Sequence, residues 1–112
     1  MFGLSQWFSS HKEGVSVLSA EDYALAISNK KVQILDVRTP QEFTFGHLKG
    51  AVNLNVFDPD FVQKIERLDK EKPVYIYCQS GMRSRQAAGL LLKAGFVEVI
   101  DLKGGYSQWQ RR

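Results

Sequence analysis

The stretch VYIYCQSGMRSRQAAGLLLKAGF, residues 74–96, decides the fold. Val74, Tyr75, Ile76 and Tyr77 form an unbroken apolar run, the pattern of a strand buried on both faces rather than one. Residues 84–94 then carry Ala87, Ala88, Leu90, Leu91 and Leu92, which predicts a helix, and Gly95 can take the left-handed conformation that stops it. Strand, tight loop and helix in this order are the repeating unit of an α/β domain. Outward from this unit, residues 15–17, 32–37, 51–54 and 97–102 read as further strands. Helix starts lie between them. Ser19 with Asp22 resembles a capping box ahead of residues 23–27, and Thr39, Pro40 and Glu42 make a fuller one. Asp58 before Pro59 predicts a capped start, after which Phe61, Ile65 and Leu68 share one face. Alternating strands and helices argue for a three-layer α/β domain with a largely parallel sheet.

Cys78 closes the strand and opens the loop, at the carboxyl edge where open α/β sheets bind ligands. Gly81 permits a positive φ, so that loop amides can converge. A ring of amide donors at a helix start holds an anion and favours thiolate over thiol. A lone intracellular cysteine is commonly no more than a small buried hydrophobe. Here it opens a glycine-containing loop with Arg83 five positions on, a context that an inert thiol does not need. Cysteine phosphatases place five residues between cysteine and arginine, enough to surround phosphate; this loop has four. A loop one residue shorter is expected to be too tight for phosphate, with room for a single sulfur atom attached to the cysteine.

The 112 residues, 44% of them hydrophobic, fit one domain that buries roughly two-thirds of its unfolded surface. We expect residues 1–14 to be an extension and 15–112 the domain. One cysteine allows no internal disulfide and no thiolate zinc cluster, and His11 and His47 stand 36 positions apart, so no metal is expected. A formal charge of +3, spread along the chain, does not suggest nucleic-acid binding. No run is long enough for a membrane span, and the start lacks a secretory pattern, so cytoplasm is the expected compartment. Phe2, Leu4, Trp7 and Phe8 are expected to pack on the domain rather than bind a partner or a membrane surface.

Three blocks carry a resemblance: LDVRTPQEFTFGHLKGAVN (35–53), CQSGMRS (78–84) and GGYSQW (104–109). In order and spacing the chain resembles the single-domain members of the rhodanese family of sulfurtransferases across about residues 15–110. Lys49 stands where many members have proline. The resemblance implies a five-stranded, mainly parallel sheet flanked by helices. It also implies an active Cys78, sulfane sulfur carried as a persulfide, and no metal or organic cofactor. Gln79, Ser80, Gly81, Met82, Arg83 and Ser84 are the expected persulfide and substrate binders, with charge-assisted bonds from the loop amides.

The expected partners are a small anionic sulfur donor such as thiosulfate and a thiol or protein acceptor. Arg83 is expected to offer a planar fork to the donor, with a structural salt bridge as the alternative. Arg38 is expected either to line the pocket or to pair with Glu42, and Asp36 to fix nearby loop amides. His47 is assigned to the turn at residues 45–53, Gly104 and Gly105 to a tight turn, and Trp109 to the core. Arg85 is expected to face solvent. Met82, Phe43, Phe45 and Phe57 are candidates for an apolar rim. The alternative function is a persulfide carrier or docking module with incidental thiosulfate turnover. The short loop counts against phosphatase or arsenate reductase chemistry.

Overall fold

Parallel strands buried on both faces need helices above and below them, and the computed structural model, which describes residues 14–28 and 31–112, has that arrangement. In chain order the elements are β1 (Val15–Leu18), α1 (Ala20–Ile27), β2 (Gln33–Asp36), α2 (Pro40–Phe45), β3 (Val52–Asn53), α3 (Phe61–Lys64) continued by a 3₁₀ turn (Ile65–Arg67), β4 (Val74–Tyr77), α4 (Met82–Lys93), β5 (Val99–Leu102) and α5 (Gly105–Arg111). The sheet order is β1-β5-β4-β2-β3, and every neighbouring pair is parallel. The expected α/β class and five-stranded sheet are thus observed. Phe2, Leu4, Trp7 and Phe8 lie outside the described residues.

Successive residues of each central strand feed two cores. Leu35, Val74, Ile76, Cys78 and Val99 pack with Phe61, Ile65, Ala87 and Leu91 on the α3–α4 face. Ile34, Tyr77, Ile100 and Leu102 pack with Tyr23 on the other, where Trp109 also rests. This two-sided demand is why β4 reads as VYIY rather than as an alternation. The serine half of the Ser19 cap is present, and Thr39 with Glu42 forms a complete capping box.

The Asp58 cap is corrected. α3 starts at Phe61 with Asp60 as its N-cap and no side-chain cap bond. The Asp58 N–H is taken by the Asn55 carbonyl and the Asp58 carbonyl by the Phe61 N–H, both at 3.0 Å, so a turn occupies this segment. The Asp58 carboxylate instead accepts from Lys64 Nζ at 2.9 Å. α4 also begins two residues earlier than residues 84–94 suggest, which brings Met82 and Arg83 into its first turn.

Candidate active site

Cys78 follows β4, and two features of the chain bend the loop back over it. Gly81, the N-cap of α4, has φ 115, a conformation that a side chain would strain. Its N–H donates to Cys78 Sγ at 3.0 Å. The Cys78 thiol donates to Ser84 Oγ at 3.5 Å, and the Ser84 hydroxyl donates to the Gly81 carbonyl at 3.3 Å. Met82, Arg83 and Ser84 are the first three residues of a twelve-residue helix with no side-chain cap, and no helical turn precedes them to accept their N–H groups. Cys78 is 1% exposed and packs within the α3–α4 core. An amide and a hydroxyl nevertheless face its sulfur, which a purely apolar niche would not provide.

The loop is held from behind by α5. The Tyr106 and Ser107 N–H groups donate to the carbonyls of Cys78 (2.8 Å) and Gln79 (3.1 Å). This approach requires Gly105, where a Cβ would lie 2.5 Å from the Cys78 carbonyl oxygen. The expected glycine turn thus docks the last helix onto the loop. Gln79 is occupied through its side chain, accepting from Arg38 Nη1 and donating to Ser107 Oγ, both at 2.9 Å. Ser80 and Met82 point outward, so Met82 offers the site its amide rather than its thioether.

Of the two alternatives expected for Arg38, lining a pocket or pairing with Glu42, the second is not formed. Arg38 Nε and Nη2 donate to the Asp36 carboxylate at 2.7–3.1 Å, Nη2 reaches the Gly46 carbonyl at 2.7 Å, and the guanidinium lies 4.6 Å from the Tyr106 ring centroid. Both partners are buried, at 2% and 0% exposure. Two residues apart across the end of β2, they close on each other before Glu42 comes within reach. Arg38, expected among the persulfide binders, reaches the loop through Gln79 and makes no direct bond to Cys78. Asp36 Oδ1 accepts the Arg38 N–H at 2.9 Å, which is the amide-fixing role expected of it.

Glu42 pairs with Arg83 instead, through a two-pronged contact at 2.7 and 3.0 Å. The Arg83 bond, with help from Thr39, holds the Glu42 carboxyl down at about 2. Glu42 first and Cys78 more weakly stabilise the Arg83 charge, which places the guanidinium within electrostatic reach of the sulfur. His47 stacks on Phe43 and its Nδ1 lies 2.7 Å from the Phe43 carbonyl, so it closes the end of α2 rather than the following turn. Phe45, Phe57 and Met82 are all exposed. Beside Gln79 an opening of about 220 Å³ is lined by Arg38, Glu42, Phe45, Gly46 and Tyr106.

Two contributors escaped the sequence reading. Asn53 Nδ2 donates to the carbonyls of Asp36 and Arg38 at 3.0 and 2.9 Å, tying β3 to the strand end that carries the buried pair. Asp101, inside the apolar run of β5, is 7% exposed, and burial pushes its carboxyl up to about 6. An acidic residue within such a run was the available signal.

Residues 19–112 match the rhodanese-like domain family. The chain belongs to this family. An uncharacterized protein of Bacillus subtilis is 42% identical over 80 residues, 71% of this chain and 62% of that protein's length. A chloroplastic thiosulfate sulfurtransferase of Arabidopsis thaliana is 39% identical, covering 87% of this chain and 86% of that protein. A phytoplasma tRNA uridine(34) hydroxylase is 35% identical over 84% of this chain, which spans only 32% of that enzyme. The rhodanese-related protein of Thermoplasma volcanium superposes with a TM-score of 0.74 at 27% identity, covering 85% of this chain and 90% of that one. The chain thus spans nearly the whole length of some relatives and only part of others. Among the described residues no helix is long and apolar enough to cross a membrane.

Proposed function

We propose that the rhodanese-like domain, residues 15–112, is a sulfurtransferase that carries sulfane sulfur on Cys78. The Gly81 N–H directed at Cys78 Sγ from 3.0 Å is the observation that carries this reading. Sγ attacks the outer sulfur of a donor such as thiosulfate, the bond to the sulfonate sulfur breaks, and sulfite leaves with its electron pair. The resulting persulfide is anionic. Its outer sulfur is held by the amides of Gly81, Met82, Arg83 and Ser84, worth most in a site shielded from water. A thiophile then takes the outer sulfur: cyanide in the test tube, a thiol or a protein in the cell. Gln79 and Ser80 shape the loop, Arg38 fixes it through Gln79, and the chemistry needs no metal or organic cofactor. Loss of the outer sulfur regenerates the Cys78 thiolate without a further reductant, and a reducing compartment such as the cytoplasm keeps that thiol from being oxidised.

Arg83 supports a second reading of the acceptor and donor. Its fork is engaged by Glu42, and three exposed apolar side chains, Phe45, Phe57 and Met82, belong to α2, the β3–α3 connection and the start of α4. A persulfide carrier that docks a protein partner would use such a rim, with thiosulfate turnover incidental. Thiocyanate formation from thiosulfate and cyanide tests the first reading. Cys78→Ser is expected to lower it about a thousandfold or more. Turnover unchanged in that variant would overturn the assignment of Cys78, whereas rapid transfer to a protein thiol with slow transfer to cyanide would favour the carrier.

A further inference from the structure

Asp101 is a buried carboxylate for which sulfur transfer, as described above, has no use. The β4–β5 register sets Ile76 beside Asp101, and strand alternation puts Cys78, two residues beyond Ile76, on the same α4-facing side of the sheet. Ser84, in the first turn of α4, is fully buried beside Cys78. Its Oγ is 3.5 Å from Cys78 Sγ, and its hydroxyl is among the groups that stabilise the Asp101 carboxylate. Asp101 Oδ1 is fully enclosed and has no hydrogen-bond partner among the described residues. A buried carboxylate with an unsatisfied oxygen is a costly arrangement that a proton relieves.

We propose that Asp101 stores the thiol proton of Cys78 during the sulfur cycle, exchanging it with Sγ through the Ser84 hydroxyl. This rests on the reading of Cys78 as the sulfur carrier. On loading, the Sγ–H bond breaks as Sγ attacks the donor, Ser84 Oγ takes that proton, and the Ser84 hydroxyl turns from the Gly81 carbonyl to give its own proton to Asp101. The carboxylate becomes a neutral acid while negative charge appears on the outer sulfur. On discharge the path runs backwards. The acceptor attacks the outer sulfur, the Sγ–S bond breaks, and Sγ leaves with the electron pair and takes a proton from Ser84 that Asp101 replaces. The loop amides thus serve the outer sulfur, and Ser84 with Asp101 serve the inner one. Asp101 never touches the sulfur and is a positioning residue.

The surroundings suit a proton held near neutrality. Desolvation raises the carboxyl to about 6 against the pull of Ser84, Arg85 and the Leu102 N–H. Arg85 and Lys103 line a cavity of about 420 Å³ together with Asp101, while its strand neighbours Val17 and Ile76 are apolar. From the far side of the sheet the Tyr23 hydroxyl senses its charge, and that hydroxyl donates to the Ile76 carbonyl. A persulfide anion on the same face pushes the carboxyl further up, because two like charges out of water oppose each other. Loading the sulfur therefore favours the proton that discharge requires.

The test separates the two half-reactions. Cys78 is persulfidated chemically with polysulfide, the added sulfur is confirmed by mass, and a single discharge to cyanide is followed against pH, corrected for the unprotonated fraction of cyanide. The native chain should discharge fastest at low pH and lose rate as Asp101 deprotonates. Asp101→Asn should discharge about tenfold more slowly at low pH, with no such pH dependence, while its loading, followed as sulfite release in alkaline buffer, changes by less than about threefold. Ser84→Ala should lose the same limb. A native profile without the limb, or Asp101→Asn discharging at the native rate, would overturn the proposal, and the native profile decides it even if the variant does not fold. Failure of Cys78 to accept sulfur at all would overturn the sulfur-carrier reading as well, whereas normal loading with an unaltered discharge in Asp101→Asn removes only this inference.

Discussion

Two arginine–carboxylate pairs flank the active edge, and they differ in burial more than in geometry. Arg38 and Asp36 make a forked contact at 2% and 0% exposure, whereas Arg83 and Glu42 make one at 21% and 33%. Removing one partner of the buried pair strands a charge away from water, while the half-exposed pair is screened and contributes little. The first is a fastening: through Gln79, Gly46 and Asn53 it joins the ends of β2, β3 and β4 into one platform. The second can exchange partners at small cost, which is what an arginine receiving an anionic donor needs. The same chemistry thus holds the site in one place and leaves it adjustable in another.

The largest effect should come from breaking the buried pair. Arg38→Met is expected to cost about 3–5 kcal/mol in denaturant unfolding, because Asp36 is left charged and enclosed. A cost as small as that of Arg83→Ala would erase the contrast. Arg83→Ala should change stability by less than about 1 kcal/mol yet raise the KM for thiosulfate about tenfold, as expected for losing charge-assisted bonds to the donor. An unchanged KM would leave Arg83 as a partner of Glu42 only.

Glu42→Gln should have the smallest effect. Glutamine keeps the capping box but loses the charge. The Glu42 carboxyl is held at about 2 against an ordinary 4.5, so its contribution is present above pH 4.5 and is lost as pH falls toward 2. At half-exposure that contribution is below about 1 kcal/mol. Unfolding of the native chain and Glu42→Gln should therefore differ slightly at neutral pH and converge in acid; a gap that widens on acidification would contradict the assignment.

Much of this arrangement was legible in residues 74–96, where the apolar run, the glycine loop and the helix pattern agree with one another. Local signals of that kind survive folding because strand, loop and helix each satisfy their own backbone. What was not legible was partner choice. Glu42 reads equally well as a cap for α2 and as a mate for Arg38; it caps α2 and takes Arg83 from 41 residues away. Asp58 carries a cap signature, but the turn from Asn55 and the pull of Lys64 divert it. Asp101 gave no motif at all, since its meaning depends on a neighbouring strand whose register the sequence does not state.

Every functional step above depends on peptide N–H groups receiving a charged sulfur on Cys78. Amide proton and nitrogen chemical shifts of the native chain, recorded before and after thiosulfate, test this most directly. The account predicts that the signals of Gly81, Met82, Arg83 and Ser84 move together toward stronger hydrogen bonding as one sulfur is gained, and that Cys78→Ser shows neither change. A sulfur gained at Cys78 while those four amides stay where they were would contradict it.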